Sequence, residues 1–194
     1  VNHLANVLLA YKLNSTLSKN TPARFVITAS GFHYAAKQQN WDDFYSNRTY
    51  LSTTLGSAVF HGVQFTTFGL DLYGRSKLWN VLFTDELAER LPKNVTANSM
   101  HPGHFQTLLS RWTGSPVEEV QTPTFLLTSG KVEDTTGNYF NHFNSVSSKS
   151  TLVTKENQRL FSTRVNPSSE PSDGSVGKGS ESLDKMMMET QIWS

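Results

Sequence analysis

The chain has 194 residues, 37% of them hydrophobic, which is enough for one domain with a packed core. Its 17 basic and 16 acidic residues leave a formal net charge of +1, so no electrostatic argument points to nucleic acid or to an anionic membrane surface. The absence of cysteine excludes disulfides, thiol catalysis and thiolate metal ligation.

Leu4, Val7, Leu8 and Tyr11 recur at helical spacing and predict a helix from residue 1 to about 19, which the chain enters already in progress. Arg24-Phe25-Val26-Ile27-Thr28-Ala29 is a β-rich run suited to a buried strand, and Ser30-Gly31 ends it. Ser30 is thereby placed at the carboxyl edge of a strand. Residues 33–70 are polar and aromatic, with Trp41-Asp42-Asp43-Phe44 as their one local motif, and read as a long irregular loop. Residues 71–91 form the next predicted helix, with Leu78, Val81, Leu82 and Leu91 on its buried stripe and Glu86, Glu89 and Arg90 solvated. Pro92 stops it.

Val95-Thr96-Ala97-Asn98-Ser99-Met100 reads as a strand ending at His101-Pro102-Gly103, residues 117–128 as a helix containing Pro123, residues 137–141 as the last strand and 156–165 as a closing helix. Strand and helix in alternation imply an α/β fold with parallel pairing through right-handed crossovers. From Asn166 the composition turns to Ser, Gly, Pro and charge, so residues 1–165 are expected to form the domain and 166–194 a disordered tail. Three Asn-x-Ser/Thr triplets, at Asn14, Asn47 and Asn94, read as chance matches. Residues 1–13 are too short and too polar to span a bilayer, and no signal peptide is visible; the cytoplasmic side is the expected location.

Tyr73 and Lys77 stand four residues apart, so they share one helical face. A phenol with a pKa of about 10 is a poor base at neutral pH, but a fixed cation nearby favours its ionised form, which makes Tyr73 a candidate general acid and base. The spacing alone is common on helix surfaces. His101 and His104 have no acidic residue or third histidine at ligand spacing, so no metal site is expected.

The run from Tyr73 through Gly74-Arg75-Ser76-Lys77-Leu78-Trp79-Asn80-Val81-Leu82-Phe83, followed by His101-Pro102-Gly103, resembles the short-chain dehydrogenase/reductases, in particular their retinol-dehydrogenase-like and WW-domain-oxidoreductase-like branch. The resemblance covers roughly residues 1–165 and implies hydride transfer between NAD or NADP and an alcohol or carbonyl, with a retinol- or steroid-like lipophilic substrate. It also implies roles for individual residues. Asn2, in Val1-Asn2-His3-Leu4, matches the asparagine that helps hold a water linking the catalytic lysine to solvent, although Ala5-Asn6-Val7 replaces the family's Gly-His-Phe. Ser30 matches the serine that donates to the substrate oxygen, Tyr73 the proton donor and acceptor, and Lys77 the cation that assists it and holds the ribose. Pro102 and Gly103, with Phe105 and Thr107, match the Pro-Gly-x-x-x-Thr turn that meets the nicotinamide carboxamide and a nearby phosphate. The gap from Ser30 to Tyr73 is longer than the family's usual one and would lie over the substrate entrance.

The glycine-rich strand-turn-helix that seats a dinucleotide pyrophosphate has no counterpart here; Gly174-Ser175-Val176-Gly177-Lys178-Gly179 lies in the polar tail without a preceding strand. The resemblance therefore implies the C-terminal half of a doubly wound, Rossmann-like sheet, and cofactor binding by this chain alone is expected to be weak. Two readings follow: an NAD(P)-dependent oxidoreductase, or a non-catalytic binding or regulatory module derived from that family, acting through a second copy or another protein. Cofactor preference stays open because the discriminating residue would lie after the second strand of the fold.

Overall fold

The computed structural model describes residues 2–19, 22–36, 57–60, 63–103, 121–142, 145–147 and 149–165. In chain order these form α1 (Leu4–Lys19), β1 (Ala23–Thr28), a 3-10 helix (Gly31–Ala35), β2 (Ser57–Phe60), β3 (Val63–Thr66), α2 (Thr67–Arg90), β4 (Val95–Met100), α3 (Gln121–Thr128), a second 3-10 turn (Gly130–Val132), β5 (Tyr139–His142), β6 (Ser145–Ser147) and α4 (Lys155–Val165).

All six residues of β4 are buried, as expected of a central parallel strand covered on both faces. It pairs in parallel with β1 from Ala23↔Val95 to Thr28↔Met100, and with β5 through Ser99↔Tyr139 and Met100↔Phe140. β6 adds an antiparallel edge next to β5, giving the order β1-β4-β5-β6. The three expected strands are thus present and parallel. β6 was not anticipated, because three residues are too few to display a period.

The strands sort their side chains into two cores. Phe25 and Ile27 of β1 and Ala97 of β4 pack with Val7 and Ala10 of α1, Leu78 and Leu82 of α2 and Phe161 of α4. Val26 faces the other way, into Met100, Phe125, Leu126, Val132 and Phe140. The result is three layers, with α1, α2 and α4 on one face of the sheet and α3 on the other. Pro123 is tolerated in α3 because it sits in the first turn, where a missing N–H breaks no helical bond.

Several expectations need correcting. Residues 33–70 are not one irregular loop: they contain most of the first 3-10 helix, an antiparallel β2–β3 pair and the start of α2. α2 begins at Thr67 rather than 71, since Gly69, worth about 1 kcal/mol against a helix interior, masks the first turn without preventing it. Glu86 is not solvated; its side chain is 14% exposed and accepts from Ser162 Oγ at 2.9 Å and from Arg90. Residues 117–120, Trp41-Asp42-Asp43-Phe44 and the tail 166–194 lie outside the described residues.

A polar clasp beside Glu86 was also unforeseen. Asp85 Oδ1 accepts from Lys149 Nζ at 2.5 Å, Asp85 Oδ2 accepts from Gln158 Nε2 at 2.9 Å, and Lys149 Nζ also donates to the Gly137 carbonyl at 2.6 Å. Burial pushes the Asp85 carboxyl above its ordinary value, and its bonds to Lys149 and Gln158 oppose that shift. The clasp ties α2 to α4 and to the approach to β5.

Candidate active site

The carboxyl ends of β1 and β4 lie side by side, with Ala29 N–H donating to the Met100 carbonyl at 2.9 Å. The segments leaving the two strands therefore share one edge of the sheet, where ligands bind in open parallel sheets. Ser30, 5% exposed, emerges there in an extended conformation (φ −171°, ψ 155°) and caps the 3-10 helix, its Oγ accepting from Phe32 N at 3.2 Å. That acceptor role leaves the hydroxyl proton available. The Ser30 carbonyl accepts from His33 N at 3.1 Å and pairs with His33 Nδ1 at 2.7 Å.

His33 is fully buried, and its Nε2 faces the Ser150 N–H at 3.3 Å. A backbone N–H can only donate, so Nε2 carries the lone pair and Nδ1 the proton. Burial lowers the pKa of the ring, which favours this neutral form. His33 thereby anchors the turn that carries Ser30.

α2 runs directly against this turn. The Tyr73 ring meets Phe32 edge-on at 5.7 Å, and Ser30 and Tyr73 are linked through that contact. Tyr73 remains 38% exposed, so its phenol is open to a ligand. The approach depends on Gly74, where a Cβ would lie 2.8 Å from the Phe32 carbonyl oxygen and 3.4 Å from Ala36 N. Gly74→Ala is expected to destabilise by about 1–3 kcal/mol despite alanine's better helix propensity, because the obstructing atoms are backbone. Gly31→Ala, with nothing within 4 Å, serves as the neutral control. Equal urea midpoints for the two variants would show that the turn moves aside freely.

Lys77 lies one helical turn after Tyr73. Its Nζ is 5.5 Å from the Tyr73 ring centroid and donates to the Thr28 carbonyl at 3.1 Å. Burial pulls the ammonium below the ordinary lysine range. Asn2 approaches from the other side: its Nδ2 is 3.5 Å from Ser76 Oγ, and its carbonyl accepts from Asn6 Nδ2 at 2.9 Å and Asn80 Nδ2 at 3.3 Å. Pro102 and Gly103 follow β4 half-buried, with Gly103 in the left-handed region (φ 82°). Phe105 and Thr107 lie outside the described residues.

The structure thus gathers Asn2, Ser30, Tyr73 and Lys77 around one end of β1, with the Pro102-Gly103 turn leaving the neighbouring strand. Gly74, His33 and Asn80 were missed as contributors. Asn80 had a signal, since three positions after Lys77 it must share that residue's helical face.

Over 159 residues the chain is 35% identical to human retinol dehydrogenase 14, a match covering 72% of this chain and 42% of that protein. It belongs to the short-chain dehydrogenase/reductase family. The human WW domain-containing oxidoreductase is 29% identical over 161 residues, with 73% of this chain and 36% of that protein covered. The short-chain dehydrogenase/reductase chain described here therefore spans less than half the length of these curated relatives. The crystal structure of an uncharacterised protein from Mycobacterium paratuberculosis shares the fold, with a TM-score of 0.53 and 21% identity over 84% of this chain and 56% of that one. No family model matches the chain. Among the described residues no group of three or more His, Asp or Glu side chains is placed to hold a metal, and no helix is long and apolar enough to cross a membrane.

Proposed function

We propose that this chain carries the catalytic half of an NAD(P)-dependent oxidoreductase acting on a lipophilic alcohol or carbonyl. The observation that carries the reading is the seating of Lys77 between the Thr28 carbonyl and the Tyr73 ring, beside the turn that begins at Ser30. Ser30 would donate to the substrate oxygen while Tyr73, with the Lys77 ammonium beside its ring, gives or takes its proton. A bound nicotinamide would supply or accept the hydride. Tyr73, Lys77, Pro102 and Gly103 would hold its nicotinamide end, with Phe105 and Thr107 assigned by sequence alone. These residues suit that end: an open phenol, a cation, and a glycine turn whose missing Cβ lets a ligand approach closely. The exposed ring of Phe32, packed against Tyr73, favours an apolar substrate.

A second reading, a binding module for a second copy or another protein, is favoured by a different observation. Leu4, Leu8, Leu9 and Leu13 of α1 are all exposed, which suits a helix partner.

Reduced nicotinamide mononucleotide separates the readings, because it needs only the nicotinamide end. It is expected to perturb the Tyr73 and Lys77 NMR signals with an affinity on the order of millimolar, lost in Lys77→Ala, and NADH or NADPH should gain little over it. Turnover of alcohols and aldehydes should be negligible. Micromolar dinucleotide binding would show that an adenosine site exists in the chain after all. No response to any of these ligands would leave the module reading.

A further inference from the structure

Asn80 is fully buried on α2, and its side-chain amide is engaged at both ends. Nδ2 donates to the Thr28 carbonyl at 3.1 Å and to the Asn2 carbonyl at 3.3 Å, while Oδ1 lies 3.0 Å from His3 Nδ1. Carbonyl oxygens only accept, so the NH2 group must face Thr28 and Asn2, and Oδ1 must face His3. It follows that His3 Nδ1 carries the proton.

His3 is itself fixed. It is 3% exposed, and the rings of Trp79, Phe83 and Phe161 surround it edge-on with centroids 5.9, 5.9 and 5.2 Å away. Burial lowers its pKa to about 4, so the ring is neutral and its buried Nε2, which has no hydrogen-bond partner, presents only a lone pair.

The Thr28 carbonyl has two lone pairs and two donors, Asn80 Nδ2 and Lys77 Nζ, each at 3.1 Å. We propose that Asn80, held in one orientation by His3, is a positioning residue for Lys77: it fixes the Thr28 carbonyl against the Asn2 carbonyl and so sets where the Lys77 ammonium lies beside Tyr73. Its part in a reaction rests on the oxidoreductase reading above; the hydrogen-bond chain from His3 to Lys77 does not.

The test uses the whole chain labelled with 13C at lysine Cε and titrated without cofactor, so that it is independent of nicotinamide binding. His3→Phe keeps the aromatic box filled but removes the N–H, and Asn80→Ala removes the clamp. Each should move the Lys77 titration upward, towards that of the surface lysines, because water then reaches the ammonium and relieves its burial. The double variant should move no further than Asn80→Ala alone, since His3 acts only through Asn80. The Lys149 signal, anchored on Asp85, should stay in place. Should Asn80→Ala fail to fold, His3→Phe decides. A wild-type Lys77 titration in folded His3→Phe, even with a lowered melting temperature, would make Asn80 a purely structural staple and overturn the proposal. Failure of nicotinamide mononucleotide to bind would instead remove the oxidoreductase reading and leave the Lys77 result standing.

Discussion

Replacing Lys149 with methionine is expected to cost about 3–5 kcal/mol, the range for breaking one side of a buried ion pair. The Asp85 side chain is 8% exposed and that of Lys149 24%, so little solvent is available to replace the lost cation. Gln158 alone would be left to satisfy the carboxylate, and the Gly137 carbonyl would lose its ammonium donor. The variant should also respond to pH with a definite sign. Burial already raises the Asp85 carboxyl above the ordinary carboxylate value, and removing the cation raises it further. The native state then holds a proton that the unfolded chain has released, so stability falls as pH rises above that value. Urea denaturation over a pH series would show the steepened slope. Asp85→Asn combined with Lys149→Met should recover most of the loss, because no unpaired charge remains buried. A single-variant cost below about 1 kcal/mol, flat in pH, would show that the clasp behaves as a surface pair.

Acidification should act through His3 with the opposite slope. Its pKa falls from 6.5 to about 4 on folding, so between those values the unfolded chain binds a proton that the native state refuses. Stability is therefore lost as pH drops through this window, by up to roughly 3 kcal/mol for a shift of this size. His33, also lowered by burial, adds in the same direction. His3→Phe should flatten the acid limb while costing about 1 kcal/mol at neutral pH for the lost bond to Asn80. An unchanged acid limb in that variant would assign the effect to other groups.

The parallel strands and the long helix were readable because their signals are dense. Phe25, Val26 and Ile27 form an apolar run, and Leu78, Val81 and Leu82 recur at helical spacing. Tyr73 and Lys77 were readable for the same reason, as local spacing on one helix. The remaining features arise between segments far apart in the chain. Nothing about Asp85 in sequence announces Lys149 or Gln158, and Gly74 looks like a helix flaw until the Phe32 carbonyl appears against it. β2 and β3 were hidden by their brevity, four residues each. Nothing in the sequence around His3 marks it as a core residue, and only the packing of Trp79, Phe83 and Phe161 makes it one.

The parallel pairing of β1 with β4 joins residues about seventy positions apart, with α2 between them. No tight turn can nucleate such a pair, so α2, whose contacts are local, is suited to form first and offer Leu78 and Leu82 as the surface on which the two strands meet. Loop-closure entropy grows only slowly, by about 0.6 kcal/mol per doubling of length. Lengthening the 37–56 segment, which lies inside that closure, would therefore show itself in the rate at which the chain folds more than in how stable it is once folded.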